Sequence, residues 1–120
     1  MDAPRLSRVT AVLARGPDRP NGDIGRGLEI ELCLGARGQV EASSAGEAPW
    51  RVRRFWPDRG DWHGELVAID GGWGIRGTRG DDEPVWELHG GIMRPGEYLT
   101  LVGPNDADLL FRIVNVETVS

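Results

Sequence analysis

Leu28-Glu29-Ile30-Glu31-Leu32-Cys33-Leu34 alternates apolar and polar residues almost without a break. On an extended backbone successive side chains point to opposite faces, so Leu28, Ile30, Leu32 and Leu34 share one face and Glu29, Glu31 and Cys33 the other. This is the pattern of a half-buried strand with one face in a core. It also sets Cys33 beside two carboxylates with no cation near it in sequence, which disfavours a nucleophilic thiolate.

The same period runs outward in both directions. Towards the N-terminus, Leu6 to Arg15 alternates with Val9, Ala11 and Leu13 on one parity. Residues 16–27, which include Pro17, Pro20 and Asn21-Gly22, read as a Gly/Pro-rich loop. The run Gly22-Asp23-Ile24-Gly25-Arg26-Gly27 has the glycine density of a phosphate loop. It lacks the Lys and Ser/Thr of one and leads into a strand instead of a helix, so no helix N-terminus would face a phosphate.

Towards the C-terminus the expected strands are a short one around Gln39 to Ala42, then Trp50 to Trp56, Trp62 to Asp70, Trp73 to Arg76, Val85 to His89, Glu97 to Val102 and Leu109 to Val119. Leu109 to Val119 is apolar on both parities, as in a strand covered on both faces. No window holds a 3.6-residue apolar period over helical length. About eight or nine short strands with turn signals every eight to twelve residues predict an all-β fold. The expected architecture is one antiparallel β-sandwich domain over residues 1–120, with a partly open β-barrel as the alternative. Pro95-Gly96-Glu97-Tyr98, entering a strand after a Trp-rich middle, resembles bacterial β-sandwich accessory domains; four residues name no family.

Composition narrows the function. The net charge is −5 and all 14 basic residues are arginine. Net acidity disfavours a general nucleic-acid binder, because phosphate contacts rest on basic patches. The missing lysine removes Schiff-base chemistry and a lysine general base. The single cysteine allows no intrachain disulfide. No stretch has the roughly eighteen apolar residues of a membrane-spanning helix, and the N-terminus lacks a secretory pattern. A cytoplasmic protein with no membrane partner is expected.

Pro49 to His89 holds all five tryptophans and both histidines. Tryptophan is highly buried on average, so core anchoring is the first reading of Trp50, Trp56, Trp62 and Trp86. Trp73 sits among Gly71, Gly72 and Gly74, which suggests a turn and partial exposure. The candidate ligand surface is therefore Trp73 with Arg76 and His63. A second candidate set is His63, His89, Asp61, Glu65 and Glu87: if their two strands pair, two imidazoles and three carboxylates share a face, a ligand set suited to Zn. Arg51, Arg53, Arg54 and Arg59, interleaved with Trp50, Phe55 and Trp56, form a local positive centre. Ser7, Ser43, Ser44 and Ser120 lack the sharp-turn context of a nucleophile.

The expected function is a non-catalytic binding or protein-interaction module for a protein or small-molecule ligand, without a cofactor. The alternatives are a small metal-dependent enzyme built on His63 and His89, and a subunit forming a homodimer through edge strands.

Overall fold

The computed structural model describes residues 5–16, 20–40, 50–57, 62–69, 72–77, 85–103 and 108–119. Among the described residues eight strands follow one another: β1 (Arg5–Arg15), β2 (Asp23–Leu34), β3 (Trp50–Phe55), β4 (Trp62–Ile69), β5 (Gly72–Gly77), β6 (Trp86–His89), β7 (Tyr98–Val102) and β8 (Asp108–Thr118). Each pairs antiparallel with the next, and β8 pairs with β1, so the sheet closes into an up-and-down barrel. The all-β expectation holds and the sandwich gives way to the barrel. Period two reports which residues face a core; it does not report whether a sheet folds over a second sheet or curls onto itself.

Closure depends on bends, and the chain places them beside the closing seam. Thr10 pairs with Asn115 and Ala11 with Ile113, which leaves Val114 as an extra residue in β8. A bulge of this kind bends its strand and shifts the side-chain parity beyond it. Phe111 and Ile113 point inward before Val114, and Val116, opposite Val9, packs against the core after it. Val114 itself is 42% exposed. The two apolar parities of this segment therefore record a bulge, not two covered faces.

A larger excursion occurs in β2. Val12 pairs with Gly27 and Leu13 with Asp23, so residues 24–26 have no partner on β1. The Asp23 carboxylate holds this excursion together. Its Oδ1 accepts from the Gly25 amide at 2.8 Å, and its Oδ2 lies 3.3 Å from Arg26 Nε. An Asp side chain that captures the amide two residues on is an Asx-turn. The sequence places 16–27 in one loop; instead residues 23–27 belong to β2. At Gln39 and Val40 only isolated bridges form, to Ile92 and Leu34. Residues 41–42 of the expected short strand lie outside the described residues.

The interior is filled by the inward parity of every strand. Val9, Leu28, Ile30, Leu32, Val52, Leu66, Leu99, Phe111 and Ile113 are fully or almost fully buried there. An eight-stranded barrel is just wide enough for side chains to fill it or to hold one small ligand. One end is plugged by Trp50, Met93 and Leu34, all buried. Trp73 tilts against Trp50 there with ring centroids 5.1 Å apart.

The outer wall is charged. Arg53 meets Glu29 at 2.7 Å, and Arg8 on β1 lies 3.7 Å from Glu31 on β2 and 3.2 Å from Glu117 on β8. Among the described residues no helix is long and apolar enough to cross a membrane.

Interior and wall should respond unequally to truncation. Phe111→Ala is expected to lower the unfolding free energy by about 3–5 kcal/mol. Arg8→Ala, whose side chain is 38% exposed, should cost at most ~1 kcal/mol, because solvent screens both of its ion pairs. Urea unfolding followed by tryptophan fluorescence reads both values; an Arg8 loss as large as the Phe111 loss would contradict this division.

Candidate ligand site at one barrel mouth

The opposite end is where β1, β3, β5 and β7 finish and β2, β4, β6 and β8 begin. The inner positions near this mouth follow from register. Arg54 has the parity of Trp50 and Val52 and faces inward with them, paired with Leu28 on one side and Trp62 on the other. Gly64 pairs with Gly77, Ile75 with Trp86, and Leu101 with Leu109. A cavity of about 360 Å³ lies at this end, lined by Leu28, Arg54, Trp62, Ile75, Trp86, Leu101 and Leu109.

Two of the lining tryptophans lie against glycine. A Cβ on Gly64 would run into the far edge of the Trp62 ring and into the Arg76 carbonyl oxygen. A Cβ on Gly103 would meet Trp86 ring carbons at 2.8 and 2.9 Å. With no side chain there, each ring has room to reach over the glycine.

Arginine and tryptophan alternate along the rim. The Arg26 guanidinium lies 5.0 Å from the Trp56 ring centroid, Arg54 lies 5.1 Å from the same ring, and Arg54 also lies 5.3 Å from Trp62. Each distance is within the range where the ring quadrupole attracts a cation. The Asp23 turn therefore has a second effect, since the residue it pins, Arg26, begins this column. Among the described residues lining the cavity, Arg54 is the one charged side chain. Its Nε atom is shut off from solvent.

The residues singled out from sequence fall elsewhere. Trp73 belongs to β5, not to a turn; it is partly buried on the inner face, at the plugged end. Arg76, on the same strand, is exposed on the outer face and lies 3.7 Å from Glu65. His63 is exposed on the outer face of β4, opposite Arg53. The barrel wall thus separates Trp73 from Arg76 and His63. Of the metal set, His63 and Glu65 stand on β4 while Glu87 and His89 stand on β6, with β5 between them. His89 Nε2 is 3.3 Å from Glu87 Oε2. Asp61 lies outside the described residues. Among the described residues no group of three or more His, Cys, Asp or Glu is placed to hold a metal. Cys33 is completely buried.

A second cavity of about 380 Å³ lies at the plugged end, with Arg5, Ser7, Met93, Arg94 and Thr118 in its wall. Arg94 donates there to the Arg37 carbonyl at 3.1 Å. Much of this wall comes from the segments around Gly35 to Gly38 and Met93 to Pro95, and aromatic rings are absent from its described lining.

No protein-family model, curated protein or solved structure matches this chain. The geometry defines its class as a closed eight-stranded up-and-down barrel with an aromatic cavity at one mouth.

The glycine beneath Trp86 gives a direct check on the site. Gly103→Ala should lift the ring, shifting tryptophan emission and near-ultraviolet dichroism while leaving the far-ultraviolet spectrum unchanged. Gly72→Ala, where a Cβ would meet nothing within 4 Å, should leave all three signals as they are.

Proposed function

We propose that this protein is a binding module for a small organic molecule, held in the cavity at the end of the barrel opposite the plug. The observation that carries this reading is the cavity itself. At about 360 Å³, with walls of Leu28, Trp62, Ile75, Trp86, Leu101 and Leu109 around one arginine, it has the character of small-molecule sites. Those are concave, mostly apolar and fitted with a few polar groups that orient the ligand, and the mouths of barrels are among their usual places.

Protein association through sheet edges finds no support in the fold, because every one of the eight strands has a neighbour on both sides.

Titration with 2-naphthamide, a flat neutral probe of suitable size, tests the reading. Calorimetry should give saturable one-to-one binding with a dissociation constant on the order of 0.1 mM, as expected at roughly −0.4 kcal/mol per non-hydrogen atom. Leu109→Trp, which puts an indole into the cavity, should abolish binding while the protein still melts cooperatively. Absence of saturable binding to the unmodified protein, or binding that survives Leu109→Trp, would defeat the proposal.

A further inference from the structure

We infer that the second cavity, at the plugged end, is a separate site for a small organic phosphate monoester, held by Arg5 and Arg94. It lies at the pole opposite the aromatic cavity and stands independently of the role proposed there.

The interior changes character along the closing seam. On β1 the inward parity runs through Leu13, Ala11 and Val9, all buried, and then through Ser7 and Arg5. On β8 it passes from Val116 to Thr118, which stands opposite Ser7. Polar residues on a core-facing parity depart from the binary pattern of a strand. Here they line a cavity of about 380 Å³, with Leu34 facing Arg5 from β2. Ser7 is buried, and its hydroxyl donates to the Arg5 carbonyl at 3.2 Å. That bond ties down the backbone from which the Arg5 side chain projects.

The charges in this cavity have one sign. Its described wall holds two ionised side chains, Arg5 and Arg94, and no carboxylate. Among the described residues neither guanidinium is in an ion pair, and Arg94 donates to the Arg37 carbonyl at 3.1 Å. The acids near them in sequence and register are engaged elsewhere. Glu31 and Glu117 flank the seam on the outer parity, where both meet Arg8. Glu97 closes the turn after Arg94 through its amide, which donates to the Arg94 carbonyl at 3.0 Å. In a chain of net charge −5, a cleft with two cations and no acid in its described wall draws anions to one place.

Two guanidiniums match a dianion. Guanidinium stays protonated at any pH a protein tolerates, and its planar fork fits phosphate oxygens as a bidentate donor. A phosphate monoester carries close to two charges at neutral pH and three strong acceptor oxygens. Gly35, Ala36 and Gly38 form another side of the cavity, where small residues let a ligand approach the backbone closely. Gly38, at φ +83°, holds its turn in the left-handed region, and its carbonyl accepts from the Met93 amide at 2.8 Å. The turn and the segment that carries Arg94 are thereby joined.

The ester body follows from the rest of the wall. Leu34, Met93, Pro95 and Val116 are apolar and give a short hydrocarbon group a place to leave water. Both arginines are exposed, so water and salt screen the contact and affinity is modest.

Amide chemical-shift titrations on the full chain at low salt test the inference. The probes are n-butyl phosphate, orthophosphate and valerate, the last carrying a single charge on the same butyl body. n-Butyl phosphate should saturate with a dissociation constant on the order of 1 mM, moving the amides of Ala36, Gly38, Arg94 and Thr118. It should bind at least about fivefold more tightly than valerate or orthophosphate, and saturating 2-naphthamide should leave its affinity unchanged. Arg5→Gln and Arg94→Gln should each weaken it about tenfold, the usual scale for losing a hydrogen bond to a charged group. Arg112→Gln removes a positive charge from the exposed face of β8 and should leave affinity within about twofold, as expected of a screened distant charge. Valerate binding as tightly as butyl phosphate overturns the dianion, and orthophosphate doing so overturns the ester body. Shifts centred on Trp62 and Trp86, or competition by 2-naphthamide, overturn the location. A loss in Arg112→Gln equal to those in the other two variants reduces the effect to net charge and overturns the site. No saturable shift with any probe overturns the inference and leaves the aromatic cavity to its own test. Should Arg94→Gln loosen the plug, Arg5→Gln decides the matter alone, because the Arg5 side chain makes no bond to the described residues.

Discussion

The pairing of β1 with β8 is the constraint on which the rest depends. It joins strands from opposite ends of the sequence, Val9 to Val116 and Leu13 to Phe111, and converts a meander into a closed surface. Without it Phe111 and Ile113 would have no opposite wall, and the space above them would be a groove in an open sheet. Closure also removes the unpaired edges that an antiparallel sheet otherwise presents. The seam is held inside by apolar packing and outside by Arg8, which reaches from the middle strand of three towards Glu31 on one side and Glu117 on the other. The two contributions differ in scale. A buried apolar side chain is worth about 1.5–3 kcal/mol and an exposed ion pair about 1 kcal/mol or less, so the interior determines stability and the wall refines register.

Most of the strands were legible because half-burial writes itself into alternation. Leu28 to Leu34 shows why: Leu28, Ile30 and Leu32 are completely buried, while Glu29 and Glu31 reach the outer wall. What alternation could not show was the global curl. The cue was present in Leu109 to Val119, whose apolar residues change parity partway along. Two explanations fit such a segment, a strand covered on both faces or a bulge, and only the partner strand distinguishes them. The start of β2 was obscured for a similar reason. The glycines and Asp23 within residues 23–27 are turn formers, and here they build an excursion inside a strand.

The candidate site was less legible, because its makers are residues that composition discounts. Arg54 has the parity of Trp50 and Val52, and following that parity one step further along the strand would have placed it inside the barrel. The eye goes instead to Arg51, Arg53 and Arg54 as one surface cluster. Gly64 and Gly103 act by what they lack, and an absent side chain leaves no periodic signal. Their roles became visible only in the structure, where the Trp62 ring reaches Gly64 and the Trp86 ring reaches Gly103. The five tryptophans proved to have no common role. Trp50 is core, Trp73 supports it at the plugged end, Trp62 and Trp86 wall the cavity, and Trp56 carries the stacked arginines.

The closing strands also determine where the two ends of the described chain emerge. Ser7 stands opposite Thr118, and the Val119 amide donates to the Leu6 carbonyl at 2.8 Å. Both ends therefore leave side by side at the plugged end. Polypeptide joined to either one departs from the pole opposite the aromatic cavity, so the barrel can be tethered, fused or inserted as a cassette between flanking segments with that cavity at its far end.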